Sequence, residues 1–115
     1  MYENLPIFKK ALEINLYIEN AVRGFSRYNK YSIGSELREK AREVIYSIYK
    51  IYFAKDKRVK IENLRDRVEE LKIVIYLAKE LKALRDFKQF EILSNMAFNI
   101  ARQAQSWLKS ESFKK

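Results

Sequence analysis

Apolar side chains recur at helical spacing in four successive stretches of the chain. Within each stretch they are separated mainly by steps of three and four residues, which place them on one face of an α-helix. The first two stripes are Ile7, Ala11, Ile14, Ile18, Ala21 and Phe25, and Ile33, Leu37, Ala41, Val44, Ile48 and Ile51. The last two are Ile61, Leu64, Val68, Leu71, Ile75 and Ala78, and Phe90, Leu93, Ala97, Ile100, Ala104, Trp107 and Leu108. The pattern predicts four amphipathic helices.

Residues between the stripes indicate where these helices begin and end. Pro6 suits the first turn of a helix, Gly24 suits a helix end, and Asp86 suits an N-cap. Ser32, followed by Ser35 and Glu36, resembles a capping signal. We predict helices at about residues 6–24, 33–55, 60–84 and 87–110, a polar loop over Ser26–Ser32, and a frayed tail, SESFKK.

Four helices of similar length joined by short connections predict an all-α fold, an antiparallel up-down-up-down four-helix bundle. A chain of 115 residues has the size of one domain, so residues 1–115 are expected to form a single bundle. No apolar run approaches the roughly 20 residues that cross a bilayer, and the N-terminus lacks the order of a signal peptide. We therefore expect a cytoplasmic protein with no membrane partner.

The second helix is more apolar than one bundle helix requires. Its apolar residues between Val44 and Phe53 cover an arc of roughly 220°, whereas a stripe of about 100–140° suffices. The surplus is mostly aromatic: Tyr46, Tyr49 and Phe53. Amphipathic tyrosines can lie on a free surface, but burial against another copy of the chain is the interpretation that we favour. We predict a homo-oligomer with these three side chains in its interface.

The chain lacks most of the side chains that usually carry out catalysis. The sequence has no His, no Cys, two Gly and one Pro. It therefore lacks the commonest general base, thiolate chemistry and a glycine-rich phosphate loop. Its carboxylates lie opposite the apolar stripes, and we interpret them as helix-surface ion pairs, such as Glu36–Lys40 and Glu62–Arg65. We predict a non-enzyme with no catalytic residues, no metal site and no cofactor.

Basic residues are in clear excess, with 24 Lys and Arg against 15 Asp and Glu, a net charge of +9. The first 25 residues are neutral, so the excess lies in the remainder of the chain. The densest cluster, between the second and third helices, is Lys55, Lys57, Arg58 and Lys60, flanked by Arg65 and Arg67. Secondary candidates are Arg27, Lys30, Arg38 and Arg42.

These basic side chains have two interpretations. They can contact the phosphates of RNA or DNA, in which case binding is sequence-tolerant and strongly salt-dependent. They can also form a solvated surface that only keeps the protein soluble, and Arg38 and Arg42 can instead serve as intersubunit or intrahelix partners of Glu39 and Glu43. We favour phosphate binding, because an oligomer multiplies the charge; a pentamer of such chains carries about +45.

Short motifs in a fixed order resemble a known bacterial family. An L-x-x-(F/W)-x-K-A element is followed by a loop that ends in Tyr-x-(Leu/Ile)-Gly and by a Leu-Arg-x-x-Ala helix start. Their residues here are Leu5, Phe8, Lys10, Ala11, Tyr31, Ile33, Gly34, Leu37, Arg38 and Ala41. The chain, over about residues 3–110, is similar to the four-helix-bundle family that includes proteins encoded in ribosomal-RNA intervening sequences and the accessory variability determinant of diversity-generating retroelements.

The second half resembles the retroelement branch more closely. EELKIVIYLAKELKAL, a short turn, a Phe-rich helix start and a terminal SWLKS are similar to that branch. The intervening-sequence branch continues its second helix with Ser-x-x-Ala-Glu-Gly, whereas this chain has SIYKIYFAKD. The departure favours the retroelement branch and leaves an intervening-sequence-type protein as the alternative.

This resemblance implies a fold and a function. The fold is an antiparallel four-helix bundle that assembles into a barrel-like homopentamer. The function is to bind nucleic acid and a partner reverse transcriptase, supporting template-primed, error-prone cDNA synthesis in mutagenic retrohoming. The alternative is a structural homo-oligomer with non-specific nucleic-acid binding or another partner.

Overall fold

A computed structural model describes residues 1–112 and shows an all-helical chain, as the sequence predicts. A turn of 3-10 helix, Tyr2–Asn4, precedes the first long helix. The helices are α1 (Pro6–Arg23), α2 (Arg27–Lys30), α3 (Ile33–Phe53), α4 (Lys57–Glu80) and α5 (Phe87–Ser112). Residues 1–112 contain no strand. None of their helices is both long and apolar enough to span a membrane.

The four long helices pack side by side as a closed ring. Helix α1 contacts α3 and α5, and α4 contacts the same two helices from the other side. Neighbours run in opposite directions, because Tyr2 beside the start of α1 contacts Phe53 at the end of α3, and Arg65 near the start of α4 bonds Gln105 near the end of α5. The molecule measures 50 × 20 × 20 Å. This arrangement is compatible with the predicted four-helix bundle.

The predicted apolar stripes form the core. Every residue of the first three stripes is buried, and the fourth is buried except for Phe90 and Trp107, which are half-buried. Ala11, Ala41, Ala97 and Ala104 are completely buried. The four stripes therefore meet along the axis of the bundle, and little apolar surface elsewhere on the helices can reach the core.

Asn15 joins α1 to α3 within this packing. Its Nδ2 donates to the carbonyl oxygen of Ala11, one turn back, at 2.8 Å and to that of Ala41 on α3 at 2.9 Å. Because the backbone of α3 supplies the acceptor, the bond fixes the register of the two helices. The apolar pattern alone does not reveal this contact.

The connection between α1 and α3 contains more structure than the predicted loop. Helix α1 stops before Gly24 as expected, and α2 forms one short helical segment in the stretch predicted to be irregular. Ser32 precedes α3 but makes no side-chain cap, since its Oγ donates to the Tyr28 carbonyl at 2.8 Å. The predicted capping signal at Ser32 is therefore wrong, because its hydroxyl is turned towards α2 and accepts no amide of α3.

Helix α4 covers Lys57–Glu80 rather than the predicted 60–84. Lys82 adopts a left-handed φ of 59°, which ends the helix. The amides of Lys82 and Ala83 donate to the oxygens of Lys79 and Ala78, both at 2.9 Å, which satisfies the terminal carbonyls. Ala83 and Leu84 are buried without being helical, so the apolar pattern continues past the end of the helix.

Helix α5 begins after Asp86, and the predicted N-cap is confirmed. Asp86 Oδ1 accepts the Gln89 amide at 2.9 Å. This bond, together with one from Arg85, lowers the pKa of Asp86 below its usual value. The helix continues to Ser112, so the first three residues of the predicted frayed tail are helical, and the last three lie outside the described residues.

Replacing Lys82 by Gly should stabilise the protein. A left-handed residue with a Cβ is strained by roughly 1–2 kcal/mol, and Gly relieves that strain. Gly also raises the conformational entropy of the unfolded chain, which offsets part of the gain. We expect Lys82→Gly to raise the free energy of unfolding by up to about 1 kcal/mol in urea denaturation, and Lys82→Val to lower it. A lower stability for the glycine variant would contradict the assignment of this helix end.

Candidate nucleic-acid interface

The predicted basic cluster lies where α3 turns into α4, at one end of the bundle. Lys55, Lys57, Arg58 and Lys60 form what we call the basic turn. Lys55, Arg58 and Lys60 are exposed, and Lys57 is half-buried. Since Ala54–Asp56 is the whole connection between the two helices, four positive charges are held within about two turns of chain.

Charge at the start of α4 opposes helix stability. The first turn carries Lys57 and Arg58 and no acidic residue, and Asp56 makes no side-chain cap. A helix N-terminus carries about half a positive charge, so anions stabilise it and cations do not. The basic turn therefore concentrates positive potential where helix α4 gains nothing from it.

Lys57 differs from the other three members. Its ammonium donates to the carbonyl oxygens of Ile51 at 3.1 Å, Tyr52 at 3.2 Å and Ala54 at 3.0 Å. These groups belong to the end of α3, where carbonyls lack intrahelical partners. Lys57 thus caps α3, and its charge is engaged by the fold.

Lys55, Arg58 and Lys60 remain available. Arg58 Nε lies 4.0 Å from Glu62 Oε2, at the outer limit of an ion pair. Lys55 and Lys60 form no ion pair within residues 1–112. These three side chains can reach an external phosphate without breaking a strong internal contact.

The two predicted flanking residues are engaged. Arg65 Nη1 donates to Gln105 Oε1 on α5 at 3.2 Å. Arg67 forms two bonds of 3.0 Å with the carboxylate of Glu70. The two arginines extend the basic surface along α4, but their donors already have partners.

Glu70 is the centre of an ion network between α3 and α4. Besides Arg67 it accepts from Lys40 Nζ on α3 at 3.3 Å, and Lys40 also lies 3.5 Å from Glu43. Bonds from Arg67 and Lys40 hold the pKa of Glu70 below its ordinary value, and Glu70 raises the pKa of both basic groups. The network ties the two helices together.

Both ion pairs named from sequence spacing are wrong. Lys40 pairs with Glu43 and with Glu70 rather than with Glu36, and Glu62 is nearest to Arg58 rather than to Arg65. Glu70 belongs to a neighbouring helix, which spacing within one segment cannot show, whereas the contacts to Glu43 and Arg58 are alternative pairs at helical spacing within one helix. The broader interpretation, that these carboxylates form ion pairs on the helix surface, agrees with the observed contacts.

Arg38 and Arg42 meet a single carboxylate on α1. Arg38 Nε and Arg42 Nη2 lie 3.1 and 2.9 Å from Glu19 Oε1. The predicted intrahelix pairing with Glu39 and Glu43 is wrong, because the packing of α1 on α3 places Glu19 closer. Pairing with these residues of another subunit stays a prediction. These arginines join helices and contribute less free charge than the sequence suggests.

Arg27 and Lys30 lie apart from the basic turn. Both belong to α2, between α1 and α3 at the opposite end of the bundle, and neither forms an ion pair among the described residues. The predicted phosphate-binding residues therefore divide into two free groups, one at each end, with engaged side chains between them.

The surplus aromatic residues of α3 lie outside the core. Tyr46, Tyr49 and Phe53 are 58%, 47% and 61% exposed. Tyr2, which sequence reasoning missed, reaches them from the N-terminal turn, with its ring centroid 5.1 Å from that of Tyr49 and 6.1 Å from that of Phe53. Together with Phe8 these rings form what we call the α1–α3 aromatic face.

A second apolar surface lies on the other side of the ring of helices. Tyr76 on α4 and Phe98 on α5 are 52% and 55% exposed and line a groove with Phe90. Lys79 Nζ lies 4.7 Å from the ring centroids of both Tyr76 and Phe90. We call this the α4–α5 groove; sequence reasoning placed Phe90 in the core and assigned no role to Phe98.

Residues 1–112 contain no group of three or more acidic side chains arranged to hold a metal ion.

Comparison of the chain with protein-family models, and with curated proteins, finds no match. The function is therefore argued from the chain's own residues and from the motifs described above.

Removing the cap on α3 should destabilise the fold. Lys57→Met keeps the aliphatic stem but removes the side-chain donor from the Tyr52 and Ala54 carbonyl oxygens. The Ile51 oxygen keeps the Ala54 amide as a donor at 3.1 Å. We therefore expect the free energy of unfolding to fall by about 1 kcal/mol. Arg58→Gln is the matched control and should change stability by less than about 0.5 kcal/mol. Urea denaturation measures both, and equal stabilities for the two variants would contradict the capping role.

The Glu70 network should make stability depend on acid pH. Because the folded-state pKa of Glu70 is lowered, its ionised form stabilises the protein at neutral pH, and that contribution is lost as pH falls through about 4 and below. Glu70→Gln should lower stability at neutral pH and flatten its decline towards acid. Urea denaturation across this pH range tests it, with Glu13→Gln as control, whose Lys10 contact is 3.7 Å. Parallel curves for wild type and Glu70→Gln would contradict the assignment.

Proposed function

We propose that this protein is a non-catalytic accessory protein of a diversity-generating retroelement. It binds nucleic acid through a basic surface and associates with the element's reverse transcriptase to support mutagenic retrohoming. The observation that carries the nucleic-acid part is the basic turn, where Lys55, Arg58 and Lys60 are exposed and weakly paired or unpaired within residues 1–112. The part that concerns the reverse transcriptase rests on the resemblance of the sequence motifs.

Phosphate is the ligand that best fits the basic turn. Its charges project from a helix N-terminus, where backbone amides and the helix dipole also favour an anion. A phosphate chain can contact several of these side chains at once and release its bound counterions. A short connection between two helices offers no element of the kind that enters a groove and reads bases, so the binding is sequence-tolerant.

Self-association completes the proposal. The α1–α3 aromatic face and the α4–α5 groove lie on opposite sides of the bundle, because α1 and α3 are neighbours and so are α4 and α5. Contact between two different surfaces of identical chains is heterologous, and it closes into a ring when the rotation from one chain to the next returns to the first chain. This favours the homopentameric barrel that the resemblance implies, with Tyr46, Tyr49 and Phe53 in the interface. Such a ring presents the basic turn five times.

Neutralising the basic turn should weaken nucleic-acid binding more than the change in net charge explains. We expect Lys55→Gln/Arg58→Gln/Lys60→Gln to reduce affinity for a labelled 30-nucleotide RNA or DNA about tenfold or more and to reduce the slope of log K against log[salt] by about 2. Fluorescence anisotropy between about 50 and 200 mM salt measures both quantities.

The control changes the same number of charges on α1. Lys9→Gln/Lys10→Gln/Arg23→Gln removes three positive charges from a helix with no predicted contact to nucleic acid, and it should lose only a small part of the affinity. Equal losses in the two triple variants would show that net charge alone attracts nucleic acid. Wild-type binding that does not change with salt would contradict phosphate contact.

A further inference from the structure

The two most exposed aromatic side chains among the described residues lie three positions apart between α1 and α3. Both belong to Ser26–Ser32, which includes α2 and which we call the α2 segment. Tyr28 is 82% and Tyr31 72% exposed, whereas the next, Phe87, is 64% exposed. Neither tyrosine ring contacts another ring within residues 1–112. The core does not use these rings, so their two faces are open to a ligand.

The segment that presents the rings is fixed by its surroundings. Phe25 and Ile33, on either side of α2, are buried. The Ser26 hydroxyl caps α2 by accepting the Asn29 amide at 3.3 Å. Gly34 allows a close approach, because a Cβ there would lie only 2.9 Å from the Asn29 oxygen. A ring held on such a segment loses little additional freedom when it binds.

Cations alternate with the tyrosines along this segment. The order Arg27, Tyr28, Asn29, Lys30, Tyr31 places two rings and two positive charges within five residues. The α2 helix contains no acidic residue, and Arg27 and Lys30 form no ion pair among the described residues. Tyr28 and Tyr31 are three residues apart and so lie on the same side of a helical turn.

We propose that the α2 segment is a binding site for single-stranded nucleic acid, in which unpaired bases stack on Tyr28 and Tyr31 while Arg27 and Lys30 hold the adjacent phosphates. The site deepens the proposed function and rests on it. Open aromatic faces beside free cations are the arrangement by which proteins bind single strands without reading sequence. The positive charge and absence of acidic side chains complement a phosphate chain better than an apolar protein surface.

Duplex nucleic acid distinguishes this site from the basic turn. In a duplex the base faces are stacked on one another and only phosphates are accessible to a surface segment, so the tyrosines contribute to single strands alone. The basic turn contacts phosphates only, so it binds single-stranded and duplex nucleic acid alike. Removal of the two rings should therefore weaken binding of a single strand and leave binding of a duplex nearly unchanged.

The test compares labelled 20-nucleotide oligouridine and oligothymidine with a 20-base-pair mixed-sequence duplex by anisotropy. Tyr28→Ala/Tyr31→Ala should weaken single-strand binding about 5-fold or more for each ring, and leave duplex binding within about twofold. Tyr28→Phe/Tyr31→Phe keeps both rings and should bind like wild type. Tyr28→Leu/Tyr31→Leu keeps apolar bulk without a flat ring and should bind like the alanine variant.

A contact measurement complements these affinities. Photocrosslinking of a strand that contains 5-iodouracil, followed by mass spectrometry of the peptides, should identify Tyr28 or Tyr31 as a crosslinked residue. Crosslinks confined to other segments would overturn the proposal even if an alanine variant folded poorly. Circular dichroism confirms the helical content of each variant before binding is measured.

Other outcomes are equally informative. Equal losses for single strand and duplex, or no loss for either, would overturn the stacking site. A lower molecular mass of the alanine variant by light scattering would also overturn it, because the tyrosines would then belong to a protein interface. If the wild type binds both probes with steep salt dependence but the tyrosine variants match it, only this site fails. If the wild type binds neither probe, the proposed function itself fails.

Discussion

The structure depends on one constraint: each long helix has a single face that reaches the core. The bundle is only 20 Å wide, and its axis is filled by one aliphatic or alanine stripe from each helix. Apolar side chains on the outward faces of the helices must remain at the surface, as Tyr49 and Phe53 of α3 do. The surplus of aromatic residues is therefore a property of the surface, and it requires an explanation other than folding.

The same constraint separates the charged side chains into those paired between helices and those open at the ends of the bundle. Side chains beside a neighbouring helix find partners across the groove, as Arg67 and Lys40 do with Glu70, and these contacts hold the helices in register. Side chains at the ends of the bundle have no neighbouring helix to meet. The basic turn and the α2 segment are such ends, and for that reason their cations other than the capping Lys57 remain open to a ligand.

Much of the fold followed from the sequence, because one buried face per helix produces a regular apolar period. Contacts that require two helices to be packed together could not be predicted from the sequence. Glu19 could not be matched to Arg38 and Arg42 until α1 was packed on α3. The end of α4 was misplaced because Lys82 turns left-handed where the apolar pattern continues. For the candidate site, the sequence located the basic turn but did not separate the capping Lys57 from the free Lys55 and Lys60.

The most direct measurement concerns the partner. The tagged protein is purified from its own host after nuclease treatment, and the co-purifying proteins are identified by mass spectrometry. We predict recovery of a reverse transcriptase in stoichiometric amount, because the proposed accessory role requires physical association with that enzyme. Recovery of the protein alone, from cells in which a retroelement reverse transcriptase is detectably expressed, would contradict the proposed role.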